Sequence, residues 1–500
     1  MRAVPIPISS TVKRHFALLW VPLVALVLAA CVEPDLSTPF PPLLGAAAAP
    51  ETGEAAEPEA ETVPEAEVAA VAPEAEEAPV AAGIYPDVEP VGPDNADAFY
   101  EQSLVTVAPP PPQLSAPEPA QPTPVMVALL VPLSGRGASV GRALLNAAQM
   151  ALFDVAPDRM ALHPKDTQGT PEGAALAMES ALQDGAQLVL GPLFSGSVTG
   201  AASVARERGV NVIAFSNDRT VAGDGVFLMG LMPEAQVERV VRFAATQGLT
   251  RFAGLIPETS FGLTVENALQ RAVRDDGGMI ARVERYPPDA EDFFAPVQRL
   301  ADYDRRRGEL QGMRADLESR GDEISRRTLK RLEGLETVGE VGYDAVVIAD
   351  GGTRLRAIAP LLPFYDIDPN KVRFLGTILW SEPGIGREPA LVGGWFAGPD
   401  PAVGESFRTR FEALHGTPPL RIASLAYDAV ALAAALVRGR EEPDYSATML
   451  TNTSGFSGVD GIFRFGADGI AERGLAILEI QERGFGVVSR ARRSFTELVN

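Results

Sequence analysis

From Val125 onward, short apolar runs alternate with segments of helical periodicity, and this rhythm constrains the fold more than any other feature of the chain. Met126-Val127-Ala128-Leu129-Leu130-Val131 is apolar throughout, the pattern of a parallel strand buried on both faces. Pro132-Leu133-Ser134-Gly135-Arg136-Gly137 reads as a turn, and Gly141 to Asp154 carries Leu144, Leu145, Ala148 and Leu152 at helical spacing. The alternation repeats. Leu188-Val189-Leu190 reads as a strand, Ser197 to Arg208 as a helix, and Val212 to Phe215 as a strand. Arg251 to Ile256, Ala345 to Ala349 and Val372 to Leu375 are further strands with helices between them. A βαβ rhythm implies parallel sheets covered by helices. About 375 residues exceed one sheet's usual size, so two lobes are expected.

The chain before Val125 is of another kind. Lys13 and Arg14 precede a 13-residue apolar run, Phe16 to Leu28, and then Leu28-Ala29-Ala30-Cys31, which holds the only cysteine. The run has signal-peptide length and is too short for a transmembrane helix. Leu-Ala-Ala-Cys resembles the lipobox of bacterial lipoproteins. The resemblance implies a lipoprotein signal peptide at 1–30, cleavage before Cys31, and lipidation of Cys31 as a membrane anchor, stable when more than one acyl chain is present.

Residues 32–124 hold 20 prolines and 18 acidic residues with no lysine or arginine. Too little apolar bulk is present to offset ordering entropy, so a disordered Pro/Ala/Glu-rich segment is expected. It reads either as a spacer, of roughly 280 Å contour if extended, or as a tolerated tail. This segment carries most of the net charge of −23, and the body from 125 to 500 is only mildly acidic. With no basic stripe, nucleic acid is not an expected partner.

Five landmarks in the body, in order, resemble type I periplasmic-binding proteins of the leucine-binding kind. They are Pro132-Leu133-Ser134-Gly135 with Gly141; Gly191-Pro192-Leu193-Phe194-Ser195-Gly196-Ser197; Phe215-Ser216-Asn217-Asp218; Ala426-Tyr427-Asp428-Ala429-Val430; and Gly455 to Gly461. The resemblance implies an α/β fold of two lobes, parallel sheets flanked by helices, preceded by the disordered linker. Lobe 1 is expected at about 125–230 and 398–448, and lobe 2 at about 231–397 and 449–500. The cleft between the lobes is where such a fold takes a small-molecule ligand. The resemblance carries a carboxylate-holding role onto Ser195, Ser216 and Thr220, with Ser134 also at the cleft. On the residues alone, these serines equally fit helix caps. The matching lobe 2 stretch, Gly376-Thr377-Ile378-Leu379-Trp380, has no acid to pair with a ligand ammonium, and Glu382 lies further on. A buried ammonium without a counter-charge is costly.

One insert stands out. Residues 291–340 are charged and helical, with Tyr303, Leu310, Leu317 and Ile324 spaced by seven and Gly321 as a break. It reads either as a solvated helix laying its stripe on lobe 2 or as a partner-docking projection, with Arg305, Arg306 and Arg307 as docking residues.

No catalytic set is apparent. The histidines, His15, His163 and His415, lack metal-ligand spacing, and no nucleophile elbow, phosphate loop or dinucleotide fingerprint is found, so neither enzyme activity nor a metal or cofactor is expected. A lipobox, a long spacer, this fold and a degraded amino-acid site together resemble the penicillin-binding-protein activator lipoproteins. In that family an outer-membrane lipoprotein stimulates a bifunctional peptidoglycan synthase from the periplasm. Val32, rather than aspartate, follows the cysteine, which fits outer-membrane sorting. The alternative is a lipid-anchored substrate-binding protein of an ABC importer for branched amino acids or amides.

Overall fold

The computed structural model describes residues 123–495 apart from 157 and 441. The signal peptide, Cys31 and nearly all of the 32–124 segment lie outside the described residues.

The chain opens with β1 (Val125–Val131), α1 (Ala138–Val155), β2 (Met160–Asp166), α2 (Pro171–Gln183), β3 (Leu188–Leu190), α3 (Ser195–Arg208), β4 (Val212–Ala214) and β5 (Val226–Leu228). These strands form a five-stranded parallel sheet in the order β2-β1-β3-β4-β5. Period-two alternation explains the continuous apolar run of β1. Val127, Leu129 and Val131 enter the core shared with α1, while Ala128 and Leu130 enter the one shared with α2 and α3.

A first crossing leads to α4 (Pro233–Thr246), β6 (Arg251–Pro257), α5 (Ser260–Asp275) and β7 (Met279–Tyr286). Then come α6 (Phe294–Leu300), α7 (Tyr303–Arg320), α8 (Glu323–Leu332), β8 (Ala345–Ile348), α9 (Gly352–Ile358), α10 (Leu361–Phe364), β9 (Arg373–Gly376) and β10 (Trp395–Gly398). The chain crosses back to α11 (Glu405–His415), α12 (Ala423–Val437), α13 (Ala447–Leu450) and a small antiparallel sheet of β11 (Phe456–Gly458), β12 (Gly461–Phe465) and β13 (Ala471–Arg473). A third crossing reaches β14 (Ala476–Ile480) and β15 (Phe485–Ser489). The second sheet runs β15-β14-β10-β9-β8-β6-β7, parallel except for β14, which is antiparallel to both of its neighbours, β10 and β15.

The fold is the expected α/β arrangement of two lobes. The lobe boundary needs one correction. Phe463, Phe465 and Ala471, expected in lobe 2, share a core with Leu144 of α1 and Tyr427 of α12, and Leu228 N–H donates to Gly469 O at 2.7 Å. Residues 449–473 therefore pack with lobe 1. The cause is α12, apolar nearly all round, which needs cover on every side.

The insert is a helical hairpin. Gly321, at φ +64°, ends α7, and the Asp322 carboxylate accepts from Ser325 N–H at 2.7 Å to start α8. Leu310 is buried, but Ile324 is 77% exposed. Gly321 resets the helical phase, so the seven-residue stripe does not survive the turn.

Candidate functional site

Crevices of open α/β sheets form at the carboxyl ends of the strands. In lobe 1 the loop after β1 is held by Asp166, at the end of β2. Its Oδ1 accepts Leu133 N–H at 2.8 Å and Gln168 N–H at 2.8 Å, and its Oδ2 accepts the Ser134 hydroxyl at 2.5 Å. Burial raises this carboxyl's pKa, but those bonds outweigh it and hold it below the usual range. Ser134 is thus engaged by the protein's own carboxylate.

The loops after β3 and β4 bring Ser195, Ser216 and Thr220 together around a second carboxylate, Asp218. Its Oδ1 accepts the Thr220 hydroxyl at 2.6 Å and Thr220 N–H at 3.1 Å. The Ser216 hydroxyl oxygen accepts Asp218 N–H at 3.1 Å. The Thr220 hydroxyl above all, helped by that of Ser195, holds the Asp218 pKa below the usual range, so Asp218 is ionised at neutral pH. Two of the hydroxyls that the family resemblance assigns to a ligand carboxylate, those of Thr220 and Ser195, are turned to a carboxylate of the chain itself. Close packing fixes these loops: a Cβ on Gly191 would lie 2.1 Å from Leu130 O, and one on Gly230 would lie 2.2 Å from Ser216 O.

In lobe 2 the sequence reading missed an acid. Asp350 follows β8, one strand from the stretch expected to carry it. Its Oδ2 accepts the Tyr286 hydroxyl at 2.8 Å and Arg354 Nε–H at 2.8 Å, and its carbonyl accepts Trp380 Nε1–H at 3.1 Å. Burial, then Asp350's charge, pushes the Tyr286 phenol far up, so it remains a donor. Glu382 pairs with Arg356 at 3.3 Å. Each of these lobe 2 acids has its own arginine.

The last two sequence landmarks meet beside the crossings. Asp428 Oδ1 accepts Val459 N–H at 2.7 Å, and a Cβ on Gly458 would lie 2.4 Å from the Asp428 carboxylate. Asp460 accepts the Ser424 hydroxyl at 2.7 Å and pairs with Arg421 at 3.0 Å. Buried Arg473 donates to Met229 O at 2.8 Å, at the first crossing, and faces Asp428 at 4.0 Å. Burial, then the charge of Asp460, pushes Asp428 up to about 7, while Arg421 and Arg473 outweigh burial at Asp460 and hold it low.

The docking triplet divides. Arg305 is exposed and pairs with Asp302 and Glu309, both at 2.5 Å, and Arg307 is exposed. Arg306 is 3% exposed and donates to Thr337 Oγ1 at 2.6 Å and Gly339 O at 3.0 Å. It fixes the loop after α8 and does not reach a partner. Among the described residues no group of three or more His, Cys, Asp or Glu is placed to hold a metal ion. None of the described helices is long and apolar enough to cross a membrane.

Comparison with known proteins agrees with this architecture. The periplasmic binding protein family profile matches residues 124–484, and the chain belongs to that family. A protein assigned to a branched-chain amino acid ABC transporter of Rhodospirillum rubrum superposes with TM-score 0.59 at 19% identity, covering 73% of this chain and 100% of that one. The branched-chain amino acid transporter substrate-binding protein LivJ of Streptococcus pneumoniae, in complex with isoleucine, gives 0.52 at 16% identity over 74% and 99%. A solute-binding protein of an ABC transporter from Rhodopseudomonas palustris, in complex with 3,4-dihydroxybenzoic acid, gives 0.54 at 14% over 75% and 98%. At these identities the likeness is one of fold. An uncharacterized protein of Rickettsia prowazekii is 23% identical over 178 residues, 35% of this chain and 47% of that protein, so the match spans about half of the relative's length.

Proposed function

We propose that this protein is a lipid-anchored periplasmic regulator that activates a bifunctional peptidoglycan synthase, a penicillin-binding protein, by contact. The observation that carries the reading against ligand capture is Asp218. An ionised carboxylate stands among the residues to which the family resemblance assigns a ligand carboxylate, and it already engages the Thr220 and Ser195 hydroxyls. Two like charges about 4 Å apart repel by roughly 4 kcal/mol at an effective dielectric constant near 20. Micromolar binding is worth only about 8 kcal/mol in total. A regulator that works by contact has no need of an open amino-acid site.

In this reading Cys31 anchors the chain to the outer membrane, residues 32–124 supply reach, and the body supplies the docking surface. The α7–α8 hairpin is the preferred surface. It exposes Arg305 and Arg307, together with Met313 at 42% and Ile324 at 77%. The likeness in fold to transporter substrate-binding proteins favours a second reading, the receptor of an ABC importer for branched amino acids or amides. Calorimetric titration with leucine, isoleucine, valine, glutamate and their amides separates the two. The regulator reading expects no dissociation constant below about 100 μM. One near 1 μM, about −8 kcal/mol, restores the receptor.

A further inference from the structure

Beside the third crossing lies a groove of about 540 Å³, within the usual size range of small-ligand sites. Its charged lining is five arginines, Arg239, Arg242, Arg473, Arg490 and Arg492, against Glu238 and Glu472. Such a concentration of guanidinium groups is unusual in a chain of net charge −23.

The carboxylates are largely occupied. Glu472 Oε2 accepts Arg464 Nε–H at 2.8 Å, its Oε1 pairs with Arg492 at 2.9 Å, and Glu238 reaches Arg271 at 3.9 Å. Arg242 reaches Asp276 at 3.8 Å, and Arg473 faces Asp428 at 4.0 Å. Arg239 and Arg490 form no ion pair among the described residues. Arg239 donates only to neutral oxygens, Leu475 O at 3.1 Å and Ser489 Oγ at 2.6 Å. Burial, then the neighbouring charges of Arg242 and Arg492, lowers its pKa. Arg473 is 8% exposed, and its Nε and Nη1 have no hydrogen-bond partner among the described residues. The groove therefore holds two guanidinium charges with no ion-pair partner among the described residues. Like charges gathered in one groove repel one another, and a bound anion relieves that repulsion.

We propose that this groove binds a phosphate group, either free in solution or as a monoester headgroup on a lipid. A phosphomonoester carries a charge of about −1.5 to −2 and three strong acceptor oxygens. That matches two unanswered guanidinium groups, and the planar arginine fork suits phosphate geometry. The walls come from α4 and residues 490–492 of lobe 2 and from Glu472 and Arg473 of lobe 1, so the occupant spans the crossing between lobes.

The test uses residues 31–500 with Cys31→Ser, so that no acyl chain enters a bilayer: calorimetric titration with sodium diphosphate and inorganic phosphate, alongside sedimentation with vesicles of phosphatidic acid or phosphatidylcholine. Binding of the phosphate probes in the micromolar range, weakening with added salt, identifies a soluble ligand. Sedimentation with phosphatidic acid vesicles alone identifies the headgroup source. The Arg242→Gln, Arg490→Gln double variant changes two exposed residues and should keep the wild-type thermal transition. It should weaken the supported binding mode at least tenfold, and Arg239→Gln should weaken it further. Three outcomes overturn the proposal: no binding of either phosphate probe or of phosphatidic acid below about 1 mM, binding unchanged in the double variant, or citrate binding as tightly as diphosphate.

Discussion

At the scale of single residues, the proposed function turns on a carboxylate, Asp218, that the sequence names but does not explain. Asp218 stands inside a landmark, Phe215-Ser216-Asn217-Asp218, whose serine draws attention first. Its role depends on a loop that folds Thr220 back onto it, and two-residue hydrogen bonds of this kind leave no periodic trace in sequence. Asp218→Ala should free the Thr220 and Ser195 hydroxyls and improve amino-acid or carboxylate binding relative to wild type, measured by calorimetry; unchanged binding would show that Asp218 does not block the cleft. Asp428 makes a second prediction, from its pKa. A carboxyl pushed up to about 7 in the folded state, from 3.8, binds its proton more tightly folded than unfolded. Its contribution to stability is present below 3.8 and is lost as pH rises through about 7. Over the interval between those two values stability falls as pH rises. Asp428→Asn should flatten the unfolding free energy over that window in denaturant titrations, and an unchanged slope would refute the assignment.

At the scale of elements, the strands and their connecting helices were legible because period-two and helical patterns are local. The βαβ order, the turn before α1 and the break at Gly321 all follow from short stretches. The place of 449–473 was not legible, because it depends on what α12 needs as cover, a contact between distant parts of the chain. Arg306 lies between these cases. It stands four residues before Leu310, on the same helical stripe, so its burial was written in the spacing but obscured by two arginine neighbours. Arg306→Ala should destabilise the protein by about 2–3 kcal/mol, the order for a hydrogen-bonded buried charge. Arg306→Lys should not restore the loss, since one ammonium does not reproduce the guanidinium fork. Ile324→Asp, on the exposed face of α8, should leave stability within about 0.5 kcal/mol and weaken synthase binding if the hairpin docks. Chemical denaturation and surface-immobilised binding read the two effects separately.

At the scale of the whole molecule, the proposal is a binding-protein body put to work as a contact surface and carried on a tether. Cys31→Ser should abolish incorporation of radiolabelled palmitate and leave an unprocessed precursor; continued labelling would remove the anchor. Tethering raises local concentration without adding contacts. A fragment of residues 125–500 should therefore act on the synthase when supplied at high concentration and fail in cells. The most direct measurement is glycan-strand and crosslink formation by the purified cognate bifunctional synthase, with and without that fragment. The account predicts that both products form faster with the fragment and that the gain falls when Ile324 is replaced by aspartate. An unchanged rate, together with no detectable binding to any synthase of the same organism, would contradict it and leave ligand capture as the better reading.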